Sequence, residues 1–93
     1  MRKLELTSTF KRDYKRETKG KYRTVLESSF VEVVTALVHD QPLAGRYQDH
    51  SLIGNWKDHQ DCHIKPDLIL IYRKPDPTCL QLVRLGSHAK LGL

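Results

Sequence analysis

HSLIGNWKDHQDCHIKPDLILIY, residues His50 to Tyr72, holds three of the five histidines and the only tryptophan, and ends in the most apolar run of the chain. From His59 to Ile64 the residues alternate, with His59, Asp61 and His63 at one parity and Gln60, Cys62 and Ile64 at the other. Successive side chains of a strand point to opposite faces, so this spacing predicts a strand with Cys62 and Ile64 inward and Asp61 and His63 on the non-core face. Pro66 interrupts the pattern, because proline lacks a donor and suits a turn or a strand end. Leu68 to Tyr72 then reads as a strand apolar on both faces, the mark of a central strand with cover on each side. Asp67 falls at its start, on the rim near His63.

Working outward, Lys3 to Thr7 alternates weakly and predicts a short strand. Thr7 or Ser8 can cap a helix over about residues 9–18, with Phe10 and Tyr14 one turn apart on its buried stripe and Gly20 as its C-cap. A second helix is expected over about 21–39, where Tyr22, Leu26, Phe30, Val33 and Leu37 recur at helical steps and Gln41-Pro42 ends the run. Residues 42–55 read as a loop carrying His50. Residues 74–78, with two prolines, make a turn, and Cys79 to Leu85 is the last strand, with Leu80, Leu82 and Arg84 sharing one face. The order β-α-α-β-β-β over a single domain, 1–93, predicts an α+β fold: a helix hairpin on a small, mainly antiparallel four-stranded sheet.

Charge is uneven. Residues 1–23 carry nine Lys or Arg against three acids, a net +6, while residues 24–49 carry one base against four acids, a net −3. A basic face suits a polyanion such as nucleic acid, or simply solubilises a helix. No run approaches the ~20 apolar residues of a membrane span, and MRKLELTSTF lacks the apolar core of a signal peptide. A cytoplasmic location is therefore expected. Cys62 and Cys79 form neither a CxxC site nor a disulfide framework and read as small buried hydrophobes.

Three readings of the polar cluster compete. His59, Asp61 and His63 could hold zinc, but no HExxH or cysteine–histidine spacing supports a metal. Histidine titrates near neutrality, so the set could instead run metal-free general acid–base chemistry. RNA offers a matching reaction: a base takes the proton of the 2′-hydroxyl, which attacks the adjacent phosphate, and an acid protonates the leaving 5′-oxygen. The third reading is a set of surface histidines on a binding module.

The pattern YQDHSLIGNWKDHQDCHIKPDLILIYRK, followed by LVRLGSHAKL, resembles the YafQ branch of the RelE/ParE toxin superfamily. The likeness extends to chain length, the N-terminal strand, the FKRD opening of the first helix and the order of elements. It implies a bacterial type II toxin: an endoribonuclease that cuts mRNA in the A site of the 70S ribosome and is neutralised by a co-encoded antitoxin, with no cofactor, metal or membrane involved. The family's catalytic residues fall on His50, Asp61, His63, Asp67 and His88, and its strand-four arginine on Arg84. On that resemblance His50 and His63, assisted by Asp67, stand on the base side and His88 is the acid. Arg84 meets the scissile phosphate and Asp61 orients a neighbouring histidine. Lys11, Arg12, Lys15 and Arg16 are expected to hold ribosomal RNA backbone. One departure is that the aromatic commonly found four residues after the last histidine is Gly92 here. The alternatives are a non-catalytic toxin of the same fold, of the gyrase-poisoning ParE type, and a plain RNA-binding module. A protein–protein poison needs no histidine set.

Overall fold

The apolar run predicted to be central is central. In the computed structural model, which describes residues 1–93, Leu68 to Tyr72 are at most 1% exposed. They lie in a five-stranded sheet made of β1 (Lys3–Leu6), β2 (His50–Ser51), β3 (Gln60–Lys65), β4 (Leu68–Arg73) and β5 (Cys79–Gly86), in the order β1-β5-β4-β3-β2. β3, β4 and β5 form the expected antiparallel meander, and β1 closes the far edge parallel to β5. The fifth strand is β2, which arises inside the segment expected to be a loop and pairs His50 with Asp61 and Ser51 with Gln60.

Two helices, α1 (Ser8–Glu17) and α2 (Ser29–Val38), cover one face of the sheet. Thr7 caps α1 by accepting a hydrogen bond from the Phe10 amide at 3.0 Å. Phe10 stacks on Phe30 of α2 at 6.1 Å, and both pack with Leu26, Val33, Leu37, Cys62, Ile64, Leu70, Tyr72, Leu80, Leu82 and Leu85. Cys62 and Ile64 point inward as the alternation predicts.

The hairpin departs from expectation at its turn. The second helix does not run unbroken from Lys21: residues 18–24 form turns, Val25–Glu27 a 3₁₀ turn, and α2 starts at Ser29. The break is at Ser28 (φ −128°, ψ −88°), whose hydroxyl donates back to the Thr24 carbonyl. Serine competes in this way with helical backbone bonding. Gly20 is not the C-cap; α1 ends at Thr18, still right-handed, whose hydroxyl donates to the Lys15 carbonyl.

The last strand also differs. The register against β4 shifts between Ile71, opposite Arg84, and Tyr72, opposite Leu82, leaving Val83 as a bulged residue. The extra residue moves Leu85 onto the core face with Leu80 and Leu82 and takes Arg84 off it. The face away from the helices is not bare. Ile69, Ile71 and Leu91 form a second small cluster there, with Leu52, Trp56 and Val83 packed against it. Leu91 comes from α3 (His88–Leu91), a short helix that the sequence reading missed, capped by Ser87 and ended by Gly92 at φ 72°.

α1 is fixed to β5 by a buried carboxylate. Asp13, 2% exposed, accepts from Arg84 Nε at 2.7 Å, from Arg16 Nη1 at 3.0 Å and from the Leu85 amide at 3.1 Å. Arg16 also donates to the Leu85 carbonyl at 2.9 Å. It crosses Gly86, where a Cβ would meet its Nη2 at 2.9 Å. Burial pushes the Asp13 carboxyl up, but the hydrogen bonds from Arg84 and Leu85 and the two cations together hold it below its ordinary value of 3.8.

Removing one partner from a buried ion pair costs about 3–5 kcal/mol. Since Arg84 and Arg16 are 25% and 36% exposed, the low end applies. Asp13→Ala should therefore lower the melting temperature by roughly 10–20 °C in a domain of this size. A depressed carboxyl stabilises the fold above its unfolded value and loses that contribution as pH falls through its folded value. The gap between wild type and variant, measured by thermal denaturation, should thus be full at pH 7 and shrink below pH 3.8.

Candidate active site

The sheet face away from α1 and α2 brings three histidine rings into a row. His50 and His63 have ring centroids 6.0 Å apart, and His63 and His88 5.3 Å apart. His50 is carried by β2, His63 by β3 and His88 by the first turn of α3.

Two of the rings have their protonation pattern set by their partners. His88 Nδ1 lies 2.8 Å from Asp67 Oδ1, which also accepts the His88 backbone amide at 3.0 Å. A carboxylate accepts and does not donate, so Nδ1 carries the proton and Nε2 is the free, exchangeable nitrogen. The His88 amide, first, and the ring N–H hold the Asp67 carboxyl below its ordinary value. His50 Nδ1 stands 2.8 Å from the Gln48 carbonyl, which again can only accept, so His50 also keeps its proton on Nδ1. Gln48 takes a left-handed conformation, φ 49°, that aims this carbonyl. Its neighbour Asp49 accepts a short hydrogen bond from the buried Tyr72 hydroxyl, which ties the start of β2 to the middle of the sheet.

Asp61 lies beneath the row. It shares the predicted face with His63 but is 2% exposed, because its strand neighbour Ile71 belongs to the second apolar cluster. His50 Nε2 stands 2.9 Å from Oδ1 and His63 Nε2 4.0 Å from Oδ2. Oδ1 is buried without a hydrogen-bond partner, since with the His50 proton on Nδ1 the Nε2 that faces it has no N–H to donate. Burial pushes the Asp61 carboxyl above its ordinary 3.8, against the pull of His50 and His63.

The other expected residues are placed differently. Arg84 is on the same face in the row His50–Asp61–Ile71–Arg84, two strands beyond Asp61 and about 10 Å from it at ~4.8 Å per strand. Its guanidinium is engaged by Asp13. Lys11, Arg12 and Lys15 are exposed and make no ion pair, whereas Arg16 is bound to Asp13, Glu17 and the Leu85 carbonyl. His59 precedes β3 and packs edge-on against Trp56 at 5.4 Å, with Nδ1 at the Lys57 carbonyl. Leu91 is buried, so it offers no surface to a base. The sequence reading missed Gln48, Asp49 and Tyr72. Tyr72 closes a run that is otherwise wholly aliphatic, and its hydroxyl was the available signal that something polar lies opposite.

The comparisons with known proteins show the family. A family model described as the bacterial toxin of a type II toxin–antitoxin system, YafQ, matches residues 2–92. The chain belongs to the YafQ toxin family. It is 34% identical over 91 residues to the mRNA interferase toxin YafQ of Escherichia coli strain B/BL21-DE3, covering 97% of this chain and 95% of that one. It superposes on a copper-bound point mutant of a Helicobacter pylori toxin with a TM-score of 0.90 at 40% identity, covering 98% and 99% of the two chains. The E. coli DinJ–YafQ toxin–antitoxin complex matches at 0.82 with 34% identity, covering 97% and 96%. In this chain no group of three or more His, Cys, Asp or Glu side chains is set to hold a metal ion; the close donors come as two pairs, His50–Asp61 and His88–Asp67. No helix is long and apolar enough to cross a membrane.

A carboxyl raised by burial leaves the fold less stable as pH rises from its unfolded value towards its folded one. Asp61→Asn should therefore melt a few °C above wild type at pH 7, with the two converging towards pH 3.8 and below. A gain of ~1 kcal/mol corresponds to roughly 4–8 °C at this size. Differential scanning calorimetry across that range reads both the sign and the convergence.

Proposed function

We propose that this toxin is a ribosome-dependent endoribonuclease that cleaves mRNA by metal-independent general acid–base chemistry. The observation that carries the reading is the row of three histidines, with His88 held by Asp67 through Nδ1 so that Nε2 is left unengaged. Attack of the RNA 2′-hydroxyl on the adjacent phosphate needs one group to take a proton and another to give one, and imidazoles do both near neutrality. The chemistry asks nothing further of a cofactor.

In this reading His50 and His63 lie on the base side. Asp61 is buried beneath both, its carboxylate 2.9 Å from His50 Nε2 and 4.0 Å from His63 Nε2, and on this reading orients them. His88, charged and steadied by Asp67, delivers its Nε2 proton to the leaving 5′-oxygen. Arg84 reaches the phosphate only by exchanging part of its bond to Asp13, so its effect on rate is mixed with its effect on folding. Lys11, Arg12 and Lys15 are the free cations for ribosomal RNA backbone, a sequence-blind and salt-sensitive contact. Arg16 contributes less, being already paired. A co-encoded antitoxin is the expected protein partner, as DinJ is for the E. coli toxin. A gyrase-poisoning toxin or a plain RNA-binding module would leave this arrangement of protons without a task.

His88→Gln keeps a hydrogen bond to Asp67 but cannot give a proton at pH 7. It should slow single-turnover cleavage of ribosome-bound mRNA by ~10²–10⁴-fold, with ribosome binding near wild type. Cleavage within a few-fold of wild type would remove His88 from the mechanism. Equal cleavage of the same mRNA without ribosomes would remove the ribosome dependence.

A further inference from the structure

β2 pairs with β3 only at Gln60 and Asp61, so the outer edge of β3 from Cys62 onward has no strand beside it. A groove of about 740 Å³ opens there, between that edge, the 3₁₀ turn Gly45–Tyr47 and the start of α2. Its wall includes His63, so it runs directly into the histidine row. Two cations face it. Lys65 is exposed and makes no ion pair or side-chain hydrogen bond. Arg46 is held in place: its guanidinium lies 4.8 Å from the Tyr47 ring centroid, Nη2 donates to the Tyr47 hydroxyl at 2.9 Å, and that hydroxyl donates to Glu32. Its pair with Glu32, at 3.3 Å between side chains 66% and 58% exposed, is weak and leaves most of the guanidinium donors free. Ser29, the first residue of α2, also lines the groove, and the Ser28 hydroxyl is turned back to Thr24 and leaves the helix without a side-chain cap. The helix therefore adds free amides and a partial positive charge at the same wall. Gln48 connects the two regions, since it lines the groove and its carbonyl fixes His50.

We propose that this groove is an RNA subsite in which Arg46 and Lys65 hold the backbone phosphates flanking the bond presented to the histidines. The inference rests on the nuclease reading above and adds to it a place for the strand next to the cut. A fixed guanidinium beside a mobile ammonium suits consecutive phosphates, because the first sets register and the second follows. Contacts to phosphate position a strand without reading its sequence, so the subsite governs affinity and alignment and leaves the proton transfers to the histidines.

The test uses the full chain and a labelled single-stranded RNA carrying 2′-O-methyl groups throughout, which binds but cannot be cut. Anisotropy titrations at several KCl concentrations compare wild type with Arg46→Gln, Lys65→Gln and the charge-matched control Lys3→Gln, on β1 at the opposite edge of the sheet. Each groove variant should raise Kd about three- to tenfold at low salt and flatten the slope of log Kd against log[KCl] by ~0.7 for each phosphate that the protein no longer neutralises. The control should follow wild type. Lys65 makes no ion pair or side-chain hydrogen bond, so its variant tests the groove without disturbing the fold, while Arg46→Gln also loosens Tyr47. Wild-type Kd and slope in the Lys65 variant, an equal weakening in the control, or no salt-dependent binding by wild type would each overturn the proposal. Single-turnover cleavage of ribosome-bound mRNA by wild type, measured in parallel, tests the nuclease reading separately. Wild type that binds the uncuttable RNA but cleaves nothing would refute the nuclease reading and leave the groove standing.

Discussion

A strand buried on both faces needs cover on both, and β4 is that strand. Its five apolar residues are closed on one side by Phe10, Phe30, Val33 and Leu37 from the helix pair. On the other side Leu91 of α3 packs with Ile69 and Ile71, beside Leu52, Trp56 and Val83. The histidine row follows from that second layer. α3 must come back over the sheet to seat Leu91, and in doing so it brings His88 at its first turn beside His63. Asp67, at the head of β4, then meets His88 with its carboxylate and fixes both the helix start and the ring. The same layer shuts Asp61 away from water beside Ile71. The site is thus the border of a small apolar cluster.

Two aspartates, each 2% exposed, are held in opposite ways. Asp13 is saturated by Arg84, Arg16 and the Leu85 amide, and its carboxyl is held down. Asp61 has one oxygen with no hydrogen-bond partner, and burial pushes its carboxyl up. The first joins α1 to β5. The second is an unfavourable arrangement that persists because the strands and the apolar layer impose it, and such perturbed groups gather where chemistry is done. Asp61 stands against the two histidines assigned to the base side.

Much of this was legible in the chain itself. The alternation through Cys62 and Ile64 set the inward face of β3, the apolar run set the central strand, and Phe10, Phe30, Val33 and Leu37 set the helix faces. The residues that gather were also named in advance: His50, His63, Asp67 and His88 lie together as the family resemblance implied. What could not be read depends on contacts distant in sequence. The bulge at Val83 reverses the parity that would have put Leu85 opposite Leu82, and only the register against β4 reveals it. The pairing of His50 with Asp61 made a strand of a segment too short to show a period. Arg16 and Arg84 look like free cations in the sequence but are gathered by Asp13, from 3 and 71 positions away. Gly92 ends α3 in a left-handed turn.

The account stands or falls on the 2′-hydroxyl as the attacking group, since a histidine base could instead activate water. The direct measurement is cleavage of a ribosome-bound mRNA in which only the nucleotide 5′ to the cut is 2′-deoxy, with the ends of the all-RNA product characterised alongside. The account predicts that the substituted message stays intact while the all-RNA message yields a 2′,3′-cyclic phosphate and a 5′-hydroxyl. Cutting of the substituted message at a comparable rate, leaving a 5′-phosphate, would show that water is the nucleophile and contradict it.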